Sequence, residues 1–272
     1  MSLSISKIWA REVIDCRGFP TVEVDVWVDD ELAGQGIVPA GRSTGRREAA
    51  ELRDGGDRWA GQRVSQAVEN VNEVIGPTLI GWDPRDQRAI DSYMCELDGT
   101  KDKSRLGANA IVGVSLAVAR AGALISDLPL YRYLNANGHV IPVPLVNLIN
   151  GGKLTSNDLE VQEFIVMPVG AEDFFEALQM CYEINLILHR MIADKYGKIA
   201  CNVGDEGGAA PPMRGIDEPM EFLSRAVAEA GFADQIVYGM DAAASHWYDW
   251  DRDVYEMDGE EMTRDDVIEM YV

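Results

Sequence analysis

The sequence predicts an α+β domain over residues 1–138, followed over residues 139–272 by the first part of an α/β barrel. Three observations support this prediction. The first part has strand patterns and then a run of amphipathic helices, which is typical of an α+β unit. The second part alternates short apolar runs with long helical stretches, as the opening of a β/α barrel does. It is also much shorter than the ~250 residues of a closed eight-stranded barrel, so we expect the barrel to be incomplete.

The first domain opens with a strand pattern. Valines alternate with other residues at period two over residues 21–28, which predicts a half-buried strand. Asp29-Asp30, followed by Gly34 and Gly36, predicts a hairpin and a returning strand. A glycine-rich loop, Gly41-Arg42-Ser43-Thr44-Gly45, comes next.

Helical spacing replaces the strand pattern after this loop. Apolar residues recur at intervals of three and four over residues 64–75, and Gly76-Pro77 is predicted to end this helix. Two more helices are predicted, near residues 84–97 and 109–125. The last of these lies in the most apolar run of the chain. Its polar and charged residues and its many alanines and glycines favour a buried core helix over a membrane span.

A turn-rich boundary at residues 135–138 separates the two domains, and short apolar runs follow it. Residues 140–146, 164–167 and 236–240 are predicted to be strands, the first two of them buried. The three strands would form an open sheet at the start of the barrel.

The helices of the second domain carry recognisable end signals. Asp173 is the predicted N-cap of a long helix that Gly197 ends. Pro219 suits the first turn of a second helix, which ends near Gly231. Thr263 is the predicted cap of a last helix.

Composition narrows the class of protein. Hydrophobic residues make up 47% of the chain, which is enough for a globular core. The net charge of −22 argues against nucleic-acid binding, because such a surface repels phosphate backbones. Four scattered cysteines and the lack of a signal-peptide pattern in residues 1–11 predict a cytoplasmic protein that binds no membrane. The acidity suits either a high-salt cytoplasm or an ordinary acidic surface.

Three acidic clusters lie at the ends of predicted strands. Gln162-Glu163 precedes one strand, Asp205-Glu206 lies in a glycine-flanked loop, and Asp241 ends another strand. Barrel enzymes keep their reactive groups in such loops, and clustered carboxylates suit magnesium or general acid–base chemistry. The plainer interpretation of Glu163 alone is a solvated loop acid, and that of Asp205-Glu206 is a tight acidic turn.

A set of motifs, in order along the whole chain, resembles the enolase family. Residues 15–24 resemble its amino-terminal strand motif, residues 41–45 its mobile loop and residues 106–111 the buried helix of its capping domain. The second domain adds Asn150-Gly151-Gly152, Gln162-Glu163-Phe164, Asn202-Val203-Gly204-Asp205-Glu206-Gly207-Gly208 and Gly239-Met240-Asp241. The resemblance implies a capping domain followed by a TIM-like barrel of the enolase type.

The resemblance also implies an activity, the reversible dehydration of 2-phosphoglycerate to phosphoenolpyruvate with magnesium. The proton to be removed has a very high pKa, and only closely placed cations can hold the charge that develops. Glu206 with Glu163 would help the hydroxyl leave, and Gln162 would touch the substrate. Asp241 would bind the first magnesium and Ser43 the second. The expected partners are a small anionic phospho-acid and further copies of the chain, as a dimer or a larger oligomer.

Some family features are missing or changed. The family's lysine base and its other metal ligands follow later barrel strands, so we expect this chain alone to be inactive. Leu154 stands where the family has a loop histidine, and Lys153 where a serine is usual. Arg42 replaces a small residue of the mobile loop. These changes predict either that the substrate carries a different anionic group or that the two loops are no longer constrained by function. His246 replaces an acidic residue, and we interpret it as a surface or packing histidine.

Three functions therefore stay open at the level of sequence. The favoured one is an enolase-type lyase of which these residues are the amino-terminal portion. The second is an enolase-like paralogue that acts on another phospho- or phosphono-acid. The third is a non-catalytic binding or structural protein derived from an enolase, in which a partner covers the open edge of the barrel sheet.

Overall fold

The structure is a computed structural model that describes residues 3–271, and these form two compact units. The first unit comprises the residues up to Gly41 together with Arg47–His139. The second comprises Arg42–Arg46 and the residues from Val140 onward. The glycine-rich loop of the first domain thus contributes a short segment to the second unit.

The first unit contains an antiparallel sheet in the order β1 (Ile5–Ile14), β2 (Pro20–Val28), β3 (Glu31–Val38). The turn at Asp29 and Asp30 has positive φ at both residues, which is the conformation of a tight hairpin and confirms the predicted turn. The central strand β2 is buried on both faces rather than half-buried as predicted. Its acidic face is covered because Arg11 of β1 pairs with both Glu23 and Asp25.

The first helical stretch runs through its proline. It consists of α1 (Ser65–Glu69), a π-helical turn (Asn70–Ile75) and α2 (Gly76–Leu79), so the prediction that Gly76-Pro77 ends the helix is wrong. The Gly76 N–H bonds to the Val71 carbonyl, five residues back. Pro77 then falls in the first turn of α2, directly after the π-helical turn.

The remaining helices of this unit are α3 (Gln87–Asp98), α4 (Ala108–Ile125) and α5 (Leu130–Leu134). By length and composition α4 could cross a membrane, but 61% of it is buried, as expected for a core helix. It packs against β2 and β3. The approach is close: a Cβ added at Gly36 would lie 2.6 Å from the Gly113 carbonyl oxygen. The glycines of β3 therefore serve helix packing, and not only the hairpin.

The second unit is built on an open sheet in the order β4 (Val146–Asn150), β5 (Glu163–Met167), β6 (Val237–Asp241). The helices α6 (Phe174–Tyr196) and α7 (Asp217–Ala230) pack on it through a shared apolar core. Beyond β6 lie the small sheet β7 (Tyr248–Asp249), β8 (Val254–Met257), β9 (Glu260–Met262) and the helix α8 (Arg264–Tyr271). An open sheet of this kind agrees with an incomplete barrel.

The predicted helix ends of this unit are confirmed. The Asp173 carboxylate accepts the Glu176 N–H at 2.8 Å, and Gly197 follows the last residue of α6 with a positive φ. Pro219 lies in the first turn of α7, and Gly231 ends that helix in the left-handed conformation. The Thr263 hydroxyl accepts the Asp266 N–H at 3.3 Å.

The predicted strand at residues 140–146 is mostly wrong. β4 begins only at Val146, while Val140, Ile141 and Leu145 are largely exposed. Pro142 and Pro144 have no N–H to donate to a neighbouring strand, so this stretch cannot join the sheet as a central strand.

We expect Gly36→Ala to destabilise the first unit by about 1–3 kcal/mol, because the added methyl group would overpack the contact with α4. Urea unfolding followed by tryptophan fluorescence measures the change. Ile37→Val on the same strand, at a partly exposed position, is the control and should change stability little. Equal stability of the two variants would contradict the close approach.

Candidate active site

The direction of β5 determines where the site lies. β5 runs antiparallel to both β4 and β6. The start of β5 therefore lies at the same edge of the sheet as the ends of its two neighbours. Glu163 pairs with Asn150 on one side and with Asp241 on the other. Two of the predicted acidic clusters, one before a strand and one after a strand, thus meet at one edge.

Glu163 is a carboxyl group whose surroundings favour the protonated form. Burial raises its pKa to about 7, together with a hydrogen bond to Glu206 and the negative charges of Glu206 and Asp241. The third predicted cluster therefore joins the other two. At neutral pH Glu163 therefore keeps a proton in a large fraction of molecules, as a proton donor needs.

Gln162 is fixed against Asp241 by two hydrogen bonds. Its backbone N–H donates to the Asp241 carbonyl oxygen at 3.0 Å, and its Nε2 donates to Asp241 Oδ2 at 3.1 Å. The side chain is only 3% exposed, and its Oε1 has no hydrogen-bond partner within residues 3–271. A buried amide oxygen without a donor is costly, so this atom suits a hydroxyl group of a bound ligand.

Asn150 holds the glycine-flanked loop at this edge. Its Oδ1 accepts the Gly208 N–H at 2.9 Å, and its Nδ2 donates to the Gln162 carbonyl at 3.4 Å. Asn157 Nδ2 donates to the Asn150 carbonyl oxygen at 2.9 Å. The buried Asn150 side chain thus connects β4, the residue before β5 and the loop that carries Glu206. Sequence reasoning gave Asn150 no role, although an asparagine in an apolar strand run is a signal of such a bond.

Ser43 lies in the segment Arg42–Arg46, which belongs to the second unit. Arg42 forms an ion pair with Asp205, the neighbour of Glu206. At the other end of the segment, the Arg46 guanidinium lies 4.1 Å from the ring centroid of Trp250. Ser43 itself is half-buried, and no hydrogen bond of its side chain is recorded in the described part of the chain.

The described residues do not by themselves complete a metal site. Asp241 Oδ1 accepts the Ala243 N–H at 2.9 Å, and Oδ2 accepts from Gln162. Within residues 3–271, no three His, Cys, Asp or Glu side chains are arranged to hold a metal ion. Magnesium prefers about six oxygen ligands, several of them water. Asp241 offers one carboxylate toward that number, so a metal at this edge requires further ligands.

The fold and the site together define a class of protein, a barrel-type protein with paired carboxylates at the strand ends. Comparison with known proteins makes the class specific. The family model "Enolase, N-terminal domain" matches residues 5–134, and the model "Enolase, C-terminal TIM barrel domain" matches residues 138–271. The chain belongs to the enolase family, and the predicted fold class is confirmed. Members of this family use a divalent metal ion.

Curated relatives agree with this assignment. The chain is similar to the enolase of Methanocaldococcus jannaschii, with 51% identity over 98% of this chain and 63% of the relative. It is 50% identical to the enolase of Thermococcus kodakarensis over 98% of this chain and 63% of that protein. It is 51% identical to the enolase of Pyrococcus furiosus over 96% of this chain and 61% of that protein. The chain thus spans less than two thirds of the length of these relatives.

We expect Asn150→Ala to lower the free energy of unfolding by about 1–3 kcal/mol, because it leaves the Gly208 N–H without its acceptor. Amide hydrogen exchange should accelerate at residues 204–208. Asn202→Ala removes an exposed amide and is the matched control. If exchange at residues 204–208 is the same in both variants, Asn150 does not hold the loop.

The raised pKa of Glu163 makes the stability of the second unit depend on pH. The group has a pKa near 4.5 when unfolded and about 7 when folded, so the folded state binds more protons between these values. Its contribution to stability is complete below about pH 4.5 and is lost as the pH rises through 7. Glu163→Gln introduces a side chain with the shape of protonated glutamic acid and no charge at any pH. We expect its stability relative to the unsubstituted chain to increase from pH 5 to about pH 8.

Thermal unfolding in the presence of a chelator measures this difference, because a bound cation would lower the pKa of Glu163. Glu221→Gln, on the exposed face of α7, is the control and should give a flat profile. A difference that does not change with pH would show that Glu163 titrates normally.

Proposed function

We propose that the protein to which these residues belong catalyses the reversible dehydration of 2-phosphoglycerate to phosphoenolpyruvate. The proposal includes magnesium as the divalent metal, a cytoplasmic location and assembly as a dimer or a larger oligomer. The observation that carries it is the position of Glu163, which pairs with Asp241 across the sheet and whose pKa is raised to about 7 by burial and by the neighbouring Glu206 and Asp241. Family membership supplies the reaction class, and the pair supplies an acid suited to it.

The roles that we assign to the residues are those that the resemblance to the enolase family implies. In dehydration, Glu206 gives a proton to the departing hydroxyl group, which leaves as water, and Glu163 beside it stores the proton. In hydration the pair takes a proton from water. We assign Gln162, whose buried Oε1 has no partner within residues 3–271, to contact with the substrate. We assign Asp241 to the first metal ion and Ser43 to the second.

The 272 residues alone are expected to be inactive. The sequence has no lysine after Lys198, so residues 199–272 offer no lysine base. Asp241 also lacks companion ligands within residues 3–271. The proposal therefore concerns the whole product of the natural gene, with the acid pair on the part described here.

A different phospho- or phosphono-acid is the second candidate substrate. Leu154 is 2% exposed and packs inward, so this side chain cannot reach an anion as a loop histidine could. Lys153 next to it is exposed and cationic. A changed set of groups around the anion favours a changed substrate, and the same assay with both acids separates the two candidates.

We expect the natural gene product to convert 2-phosphoglycerate in the presence of magnesium, measured by the ultraviolet absorbance of the enol product. Glu206→Gln should lower kcat by about 10²–10⁴-fold, the usual contribution of a general acid. Glu221→Gln, exposed on α7, should keep full activity. Turnover of only another phospho-acid would favour the second candidate. A folded protein that turns over neither acid would favour a binding or structural role.

A further inference from the structure

A small cavity lies beside the carboxylate edge in the second unit. Its volume is about 240 Å³, and its lining includes Gly152, Lys153, Asp158, Glu160, His246 and Trp247. The sequence motifs connect Lys153 with a substrate anion but not with His246, because the two residues are 93 positions apart in the numbering. The fold brings Lys153 and His246 into the lining of one cavity.

The two acidic side chains that line the cavity have hydrogen-bond partners, while Lys153 has no ion-pair partner within residues 3–271. Arg214 neutralises Asp158, with Nη2 at 2.7 Å and Nε at 3.1 Å from Asp158 Oδ2. Glu160 Oε1 accepts the Asp258 N–H at 3.1 Å. Lys153 has no ion-pair partner within residues 3–271. Burial and the nearby Lys153 charge lower the pKa of His246, while Asp241 opposes this shift. An anion between the two basic groups would relieve their repulsion.

The cavity is connected to the acid pair by backbone contacts. The Gly151 N–H donates to the Gln162 carbonyl oxygen at 2.9 Å. The Asp205 N–H donates to the Leu154 carbonyl oxygen at 3.0 Å, which joins the Lys153 loop to the loop of Glu206. His246 also lies close enough to Asp241 for the two charges to interact. The backbone of the Lys153 loop is therefore joined both to the residue before β5 and to the loop of Glu206.

We propose that Lys153 and His246 form a subsite for an anionic group of the substrate, a phosphate or a carboxylate. The proposal rests on the proposed function and adds two specificity-determining residues to it. The subsite supplies cationic contacts in a loop where Leu154 is buried and cannot contribute them.

Binding can be measured without turnover by proton NMR of the histidine rings. The chain has only three histidines, so His246→Gln identifies the resonance of His246 by its loss. The chain without metal is titrated with inorganic phosphate and, separately, with acetate, at constant ionic strength. Lys153→Met removes the subsite ammonium. Lys198→Met removes an exposed lysine elsewhere in the same unit and is the matched control.

We expect a saturable shift of the His246 resonance, with binding about tenfold weaker in Lys153→Met and unchanged in Lys198→Met, as for loss of one charge-assisted contact. A phosphate response identifies the phosphate group as the occupant, and an acetate response identifies the carboxylate. Absence of a saturable shift, or equal weakening in both lysine variants, would overturn the subsite. If the subsite binds phosphate while the natural gene product leaves 2-phosphoglycerate unchanged, the proposed function fails and the subsite stands.

Discussion

The antiparallel pairing of β5 between β4 and β6 is the constraint on which the candidate site depends. In a sheet of parallel strands, the residues before β5 would lie at the opposite edge from the residues that end β4 and β6. Reversal of the middle strand brings Glu163 beside both Asn150 and Asp241. A shift of one residue in this register would turn Glu163 to the other face of the sheet. The buried amide of Asn150 bonds across this edge and so helps to fix the register together with the loop that carries Glu206.

This constraint has an electrostatic consequence. Three carboxyl groups meet at one edge of a chain whose net charge is −22, so full ionisation there is unfavourable. A proton kept on Glu163 relieves part of the repulsion, and a bound cation would relieve more. The arrangement therefore favours two kinds of partner, a proton and a metal ion, which are the partners that a magnesium-dependent dehydration uses. Lys153, which has no ion-pair partner within residues 3–271, adds positive charge that would favour the proposed anionic substrate in so acidic a protein.

Local signals in the sequence predicted local structure well. The helix boundaries depend on hydrogen bonds within a single turn, so they can be recognised from neighbouring residues alone. Asp173 begins α6, and Gly197 and Gly231 follow the last residues of α6 and α7. The prediction of a strand at residues 140–146 followed the apolar residues and gave too little weight to Pro142 and Pro144, which have no N–H for pairing. The prediction that Gly76-Pro77 ends a helix failed because a π-helical turn precedes the proline. The burial of both faces of β2 depends on contacts with Arg11 of β1, which the alternation within β2 does not show.

The site was predictable only in part, for a similar reason. Motifs identified the acidic clusters, but periodicity alone did not indicate that β5 is reversed, and nothing local relates Lys153 to His246. Contacts between residues far apart in the chain depend on the register of the whole sheet. The missing information was long-range pairing, and not the chemistry of individual residues.

Two parts of the site are held by contacts of different strength, one by buried hydrogen bonds and the other by exposed side chains. Asn150 is buried, and breaking its bonds would leave polar groups without partners, at a cost of about 1–3 kcal/mol each. The segment that carries Ser43 is held at its ends by Arg42 with Asp205 and by Arg46 with Trp250, and these side chains are largely exposed. Exposed contacts of this kind contribute only about 0–1 kcal/mol each. The acid pair and Asp241 thus stand beside buried hydrogen bonds, while the two ends of the segment that carries Ser43 are held by exposed side chains.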